Sequence, residues 1–186
     1  MSTHTLSVLV EDRPGVLTRV AGLFAARGYN IDSLAVGPTE EPGLSRMTIV
    51  VDVETKPLEQ VTKQLNKLVH VIKILEHDAS STVERELVLV KVRAEGEARA
   101  RVLEIADVFR ARVLDVTHRT LTVEGTGTPD KIAALLELVA DHGIVELART
   151  GRIALARGDR GIRERVLRSA RAAGAEGTTD WTGGGV

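Results

Sequence analysis

The sequence predicts an α+β protein made of two tandem βαββαβ units. Apolar residues change from a period of two to a spacing of three and four, and back, in the same order twice along the chain. Pro, Gly, Asn or Asp stands at most of these changes, where turns are needed. Length agrees, because 186 residues accommodate one ordinary domain or two small ones.

In the first unit, Leu6, Val8 and Val10 alternate with Thr5, Ser7 and Leu9, as in a strand. Glu11-Asp12-Arg13-Pro14-Gly15 is a turn. From Pro14 onward Val16, Leu17, Val20, Leu23 and Phe24 take helical spacing, and Gly28 stands where a helix stops. Asn30 to Val36 reads as a second strand, a turn covers Pro38 to Gly43, and Met47, Ile49, Val51 and Val53 alternate through a third. Pro57 opens a second helix with Leu58, Val61, Leu65 and Leu68 on its apolar face, and Val71 to Leu75 is the last strand. The unit spans 1–78, and the uncharged polar stretch Ala79-Ser80-Ser81-Thr82 suits a linker over 79–83.

The order then repeats over 84–158. Leu87 to Val92 is a strand, Val102, Ile105, Ala106 and Phe109 mark a helix face, and Arg112 to Val116 and Leu121 to Gly125 are two strands. Thr128-Pro129-Asp130 starts a helix whose stripe is Ile132, Leu135, Leu136 and Val139. Gly143 ends it before Ile144 to Ala148, with an extra strand at Arg152 to Ala156. Residues 159–186 are expected to be a flexible tail: Gly161 to Ala173 has the pattern of one short helix, but Gly174, Gly177 and Gly183-Gly184-Gly185 prevent anything longer. Trp181 lies among Thr and Gly.

Units of this size bury only about 60 to 65% of their surface, so pairing is expected to supply stability. Helices on one face of an antiparallel sheet leave the other face or an edge strand free, which predicts a homodimer.

Composition removes several function classes. The chain has no Cys, hence no disulfide framework and no thiolate metal site. No apolar run reaches the ~20 residues of a membrane span, and Met-Ser-Thr-His-Thr lacks the features of a signal peptide, so no membrane association is expected and a cytoplasmic location is. The 25 Lys and Arg residues are balanced by 26 Asp and Glu, with no strongly basic segment, and aromatics are 2%; nucleic acid is therefore not an expected partner. His4, His70, His77, His118 and His142 have no metal-ligand spacing, so no metal site is expected. No G-x-S-x-G occurs, Gly125-Thr126-Gly127 reads as a turn before a helix, and Glu40-Glu41 reads as a solvated turn. No catalytic constellation emerges.

The informative segment is Glu11 to Leu17. Pro14 restricts the backbone and Gly15 permits close approach, so amides near Gly15, Val16 and Leu17 are placed to face an anion such as a carboxylate. Asp12 offers an oxygen to an ammonium group. Together these match a free amino acid, although spacing alone is equally met by Asp12 as a plain N-cap or a solvated turn residue. Likewise, Asn30 after Gly28 and Tyr29 fits a turn residue tolerating positive φ, and Ser45-Arg46 fits a polar strand edge.

The run Leu6 to Leu17, Phe24, Arg27-Gly28-Tyr29-Asn30-Ile31-Asp32-Ser33-Leu34 and Leu44-Ser45-Arg46-Met47-Thr48-Ile49 resembles the amino-terminal ACT domain of the small, regulatory subunits of acetohydroxyacid (acetolactate) synthases. Gln64 to Leu68, Arg85 to Lys91, Phe109-Arg110-Ala111, Asp115-Val116-Thr117 and Ala148 to Gly158 also look like that family, so the resemblance covers about residues 1–158.

The resemblance implies two tandem ferredoxin-like βαββαβ domains, the first an ACT domain used for effector binding and dimerisation. It implies a non-catalytic regulatory subunit that activates the catalytic large subunit and confers feedback inhibition by valine in branched-chain amino-acid biosynthesis. Thiamine diphosphate, magnesium and FAD would belong to the large subunit, with no cofactor bound by this chain. The effector, valine or a related branched-chain amino acid, would lie between two chains, between the first turn of one and the start of the second strand of the other. By position, Pro14 shapes the turn, and Gly15, Val16 and Leu17 hold the carboxylate. Asp12 and Asn30 take the ammonium group or order the turn, and Ile31 adds backbone contacts and apolar wall. The rival expectation is a stand-alone ACT-type amino-acid sensor acting on another enzyme or on transcription.

Overall fold

The fold was obtained as a computed structural model, which describes residues 3–52, 58–159 and 161–163. The first unit runs β1 (Thr3–Glu11), α1 (Val16–Ala26), β2 (Asn30–Pro38), β3 (Leu44–Asp52), α2 (Leu58–Leu65) and β4 (Val71–His77). The second runs β5 (Thr82–Arg93), α3 (Glu97–Val108), β6 (Arg112–Val116), β7 (Thr120–Gly127), α4 (Pro129–Ala140) and β8 (Ile144–Arg149), followed by β9 (Ile153–Ala156). Strand order is β2-β3-β1-β4 in the first sheet and β6-β7-β5-β8 in the second, and every pairing is antiparallel. The two units therefore share one ferredoxin-like topology, as the repeated pattern predicts.

Alternation places the cores. Leu6, Val8 and Val10 of β1 lie beside Ile49 and Met47 of β3, and Val16, Val20 and Phe24 of α1 and Leu58, Val61 and Leu65 of α2 close over them. Val88, Val90 and Val92 of β5 with Leu121 and Val123 of β7 form the matching face, under Val102 and Ala106 of α3 and Ile132, Leu135 and Val139 of α4. The α4 start behaves as its sequence predicts: Thr128 Oγ1 accepts the Lys131 amide and Pro129 is the first helical residue.

Three expectations are corrected and one is narrowed. First, α1 begins at Val16 rather than at Pro14. Gly15 adopts φ +83°, a left-handed conformation that a right-handed helix cannot contain, so it stands outside the helix as its N-cap. Second, residues 79–83 are not a free linker. Ala79–Ser81 form a 3-10 turn capped by Asp78, and Thr82 and Val83 already belong to β5.

Third, of the face or edge strand that could be left free, it is the edge strand β2 and not the second face of the first sheet. Thr5, Ser7, Leu9, Thr48 and Val50 are buried although they face away from the helices. The first four residues of β5 pair with β9 into a ribbon, and its Val83, Ile153 and Leu155 line a groove together with Ala35, Gly37 and Thr48 of the first sheet. Thr82 and Ala154, on one side of the ribbon, are buried. His77 links the layers, with its imidazole between Ser7 Oγ at 2.7 Å and Thr82 Oγ1 at 3.3 Å.

Fourth, the segment after 158 begins as ordered chain: Ile162 is buried, and Arg163 Nη1 lies 2.7 Å from a carboxylate oxygen of Glu41, which is therefore paired rather than merely solvated. Val53, Pro57, most of the proposed 161–173 helix and Trp181 lie outside the described residues. Among the described residues no helix is long and apolar enough to cross a membrane, and no group of His, Asp and Glu is placed to hold a metal ion.

Candidate functional site

The turn after β1 is held from three directions. The Asp12 amide donates to the Gly43 carbonyl at 2.8 Å, the Glu11 amide donates to the His70 carbonyl at 3.0 Å, and the Val16 amide donates to the Arg13 carbonyl at 3.3 Å. Glu11 Oε2 lies 2.9 Å from Arg13 Nε and 3.0 Å from His70 Nδ1, which offsets its charge beside the helix end. This fixes Gly15 with no side-chain cap on α1.

An uncapped helix start leaves amide donors unsatisfied. Val16 spends its amide on Arg13 and buries its side chain in the core, so it anchors the turn rather than offering a donor. The Gly15 and Leu17 amides have no hydrogen-bond partner among the described residues, and a Cβ built on Gly15 meets nothing within 4 Å. Open space thus adjoins free donors at a helix N-terminus, an arrangement that favours an anion. Leu17, 43% exposed, sets an apolar side chain beside them. Pro14 is exposed in the turn. Asp12 is exposed too; it is not the N-cap, and its carboxylate has no partner among the described residues.

At the start of β2, Asn30 is exposed and its Nδ2 donates to Asp32 Oδ1 at 2.6 Å. A carboxylate only accepts, so this bond turns the Asn30 amide one way and leaves the Asn30 Oδ1 as an acceptor with no partner among the described residues. Asp32 is absent from the residues picked out of the sequence. The signal for it was present: residues two apart in a strand share a face, so a strand-opening Asn-x-Asp brings amide and carboxylate together. A register shift between Ile31 and Ser33 lets β2 bend there. Ile31 is half-buried and packs against the core, which limits the wall it offers.

Within one chain these two groups do not meet. The Gly15 turn follows Glu11, which pairs with Leu44 at one end of β3, whereas Asn30 pairs with Asp52 at the other. Eight residue steps along β3 separate them, roughly 26 Å at strand rise.

Models of known families match both units. Residues 6–73 match the AHAS small subunit-like ACT domain, and residues 85–158 match the small subunit of acetolactate synthase. The chain is 58% identical over 160 residues to the acetolactate synthase small subunit of Mycolicibacterium smegmatis, an alignment spanning 86% of this chain and 94% of that one. The chain belongs to the acetolactate synthase small-subunit family.

Other relatives agree across wide distances. A probable acetolactate synthase small subunit of Archaeoglobus fulgidus is 54% identical over 157 residues, which covers 84% of this chain and 98% of that one. The crystal structure of the acetolactate synthase small subunit from Thermotoga maritima superposes with a TM-score of 0.79 at 40% identity, covering 86% of this chain and 100% of that one. In this small-subunit chain, the segments singled out from the sequence, Leu6 to Leu17 and Gly28 to Leu34, fall inside the ACT-domain match.

Proposed function

We propose that this chain is the regulatory subunit of an acetolactate synthase, a homodimer that binds valine or a related branched-chain amino acid and controls a catalytic large subunit. The observation that carries the reading is the division of the site. Free amides of Gly15 and Leu17, with Asp12 nearby, lie at one end of the first sheet, the Asn30 acceptor lies at the other, and between them runs β2, an edge strand whose outer side pairs with no strand among the described residues. Antiparallel pairing of β2 with β2 of a second copy sets the start of one strand beside the end of the other. Asn30 and Ile31 of one chain then approach the Gly15 turn of its partner, and each dimer gains two such sites. The amides receive the ligand carboxylate, while Asn30 Oδ1 and Asp12 receive the ammonium group. Asp32 is a positioning residue, and Val16 holds the turn to the core.

Control requires that the effector bind the active and inhibited assemblies with different affinity; a coupling of about 1 to 3 kcal/mol corresponds to roughly 5- to 150-fold. Thiamine diphosphate, magnesium and FAD belong, in this reading, to the catalytic subunit.

Thermal unfolding of the purified chain against a panel of free amino acids tests the proposal. Ligand at 100 times its Kd adds about 2.7 kcal/mol per site, so a rise confined to branched-chain amino acids is expected. No rise, together with undiminished activity of the reconstituted two-subunit enzyme in valine, overturns it. In titration calorimetry, Asp32→Ala is expected to weaken binding by roughly 5- to 20-fold, the worth of one net hydrogen bond of about 1 to 1.8 kcal/mol to a charged partner.

A further inference from the structure

The second unit meets β2 of the first sheet directly beyond Asn30 and Asp32. The Arg152 amide donates to Ser33 Oγ at 2.9 Å. Gly151 lies against the same oxygen: a Cβ built on it falls 2.5 Å from Ser33 Oγ, and its φ of +77° is one that L side chains rarely adopt. Hollows flank this contact. On one side is a cleft of about 480 Å³ lined by residues that include Thr3, Asp32, Val50, Glu86 and Arg149. On the other is a groove of about 390 Å³ between Ala35, Gly37 and Thr48 of the first sheet and Val83, Ile153 and Leu155 of the ribbon.

The loop that makes the contact is firmly mounted. Arg149, just before it, donates through Nε and Nη2 to both carboxylate oxygens of buried Glu86, at 2.6 and 2.9 Å. The Thr150 amide donates to the Leu87 carbonyl at 3.0 Å and Thr150 Oγ1 accepts the Leu87 amide at 3.1 Å. Arg152 Nη1 stands 3.5 Å from Glu84 Oε2. All these ties lead to β5, an inner strand of the second sheet. The other side of the contact is compliant, because Ser33 closes the register shift that interrupts the β2–β3 pairing after Ile31. A displacement at Asn30 and Asp32 can therefore be taken up at the irregular start of β2 and delivered to a loop that cannot yield independently of its sheet.

We propose that Ser33, Gly151 and Arg152 form a joint that conveys occupancy of the amino-acid site at the start of β2 to the second unit. The inference rests on the effector site proposed above. Ser33 is outside the ligand-contacting set, so its removal separates coupling from binding.

The test uses the full chain with valine, read by hydrogen exchange, and the reconstituted two-subunit enzyme, read by inhibition. In the wild type, valine is expected to change exchange at the amides of 149–156. Ser33→Ala is expected to leave the valine Kd of the isolated chain unchanged, to abolish that distant change, and to raise the half-inhibitory concentration at least ~5-fold, the low end of ordinary coupling. Gly151→Ala, whose Cβ would meet Ser33 Oγ and whose φ of +77° suits L side chains poorly, is expected to lose the same distant change and to raise the half-inhibitory concentration likewise. Wild-type binding without change at 149–156, or inhibition of Ser33→Ala at the wild-type concentration, overturns the joint and leaves the effector site standing. Absence of valine binding to the wild type, alone and in the complex, overturns both.

Discussion

Gly15→Asp is expected to abolish branched-chain amino-acid binding while leaving a folded protein. Two physical effects act at this residue. Gly15 holds φ +83°, so any side chain carries a backbone penalty, though Asp and Asn bear it best. The Cβ itself meets no atom within 4 Å, so no core packing is disturbed. What changes is charge: a carboxylate is placed beside the Gly15 and Leu17 amides, where the ligand carboxylate is to sit. Two like charges about 4 Å apart repel by about 4 kcal/mol at a surface dielectric near 20. A loss of more than ~100-fold in affinity follows, since 1.4 kcal/mol is a factor of ten. Gly15→Asn has nearly the same shape and backbone demand without the charge, and a loss of no more than ~10-fold, about 1.4 kcal/mol, is expected for it. Titration calorimetry of both variants decides the matter. Equal affinities for Asp and Asn would mean that no anion approaches this turn.

The architecture was legible because each element carries its own signal. Period-two runs at Leu6–Val10 and Leu87–Val92 gave the central strands, and Thr128-Pro129-Asp130 gave the start of α4, where propensity, cap and dipole agree. The errors came where local pattern and tertiary context part. Thr5 and Ser7 lie on the face of β1 that the sequence allows to be free, yet they are buried, and nothing within eight residues of Ser7 announces its link through His77 to Thr82, some seventy-five positions on. Glu41 could not be matched to Arg163 for the same reason.

The candidate site was legible in part. Gly15 stood out, because a Pro-Gly pair before an apolar helix has few explanations, and its positive φ agrees. The sequence suggests a donor role for Val16, but its amide is taken up by the Arg13 carbonyl in the turn before the helix. Asp32 carries its signal only in its spacing of two from Asn30, which places the two side chains within hydrogen-bond reach. The separation of Gly15 from Asn30 along the sheet follows from topology alone, and it is the observation on which the proposal of a two-chain site rests.

Arg149→Met is expected to destabilise the second unit well beyond an ordinary surface substitution. Glu86 is 5% exposed and its two oxygens are satisfied by Arg149. Those hydrogen bonds push the Arg149 guanidinium further up from its already high range, against the opposing effect of burial. Methionine keeps much of the stem but strands a buried carboxylate. Breaking a fully buried pair costs about 3 to 5 kcal/mol; Arg149 is 43% exposed on its side chain, so water screens part of this and about 2 to 3 kcal/mol is the expected loss. For a chain of this size that is a fall of roughly 5 to 10 °C in Tm. The double variant Glu86→Met with Arg149→Met removes both charges and is expected to return to within about 1 kcal/mol of the wild type, as apolar replacements of buried pairs commonly do. Urea midpoints of the four proteins give the coupling directly. Stability alone then does not account for a buried ion pair here. Its two fixed hydrogen bonds set the register of Arg149 on β5, and with it the position of Gly151 and Arg152 against Ser33. Accordingly, the double variant, though stable, is expected to exchange its 150–152 amides faster than the wild type; equal exchange would show that the backbone pairs of Thr150 and Leu87 hold the loop by themselves.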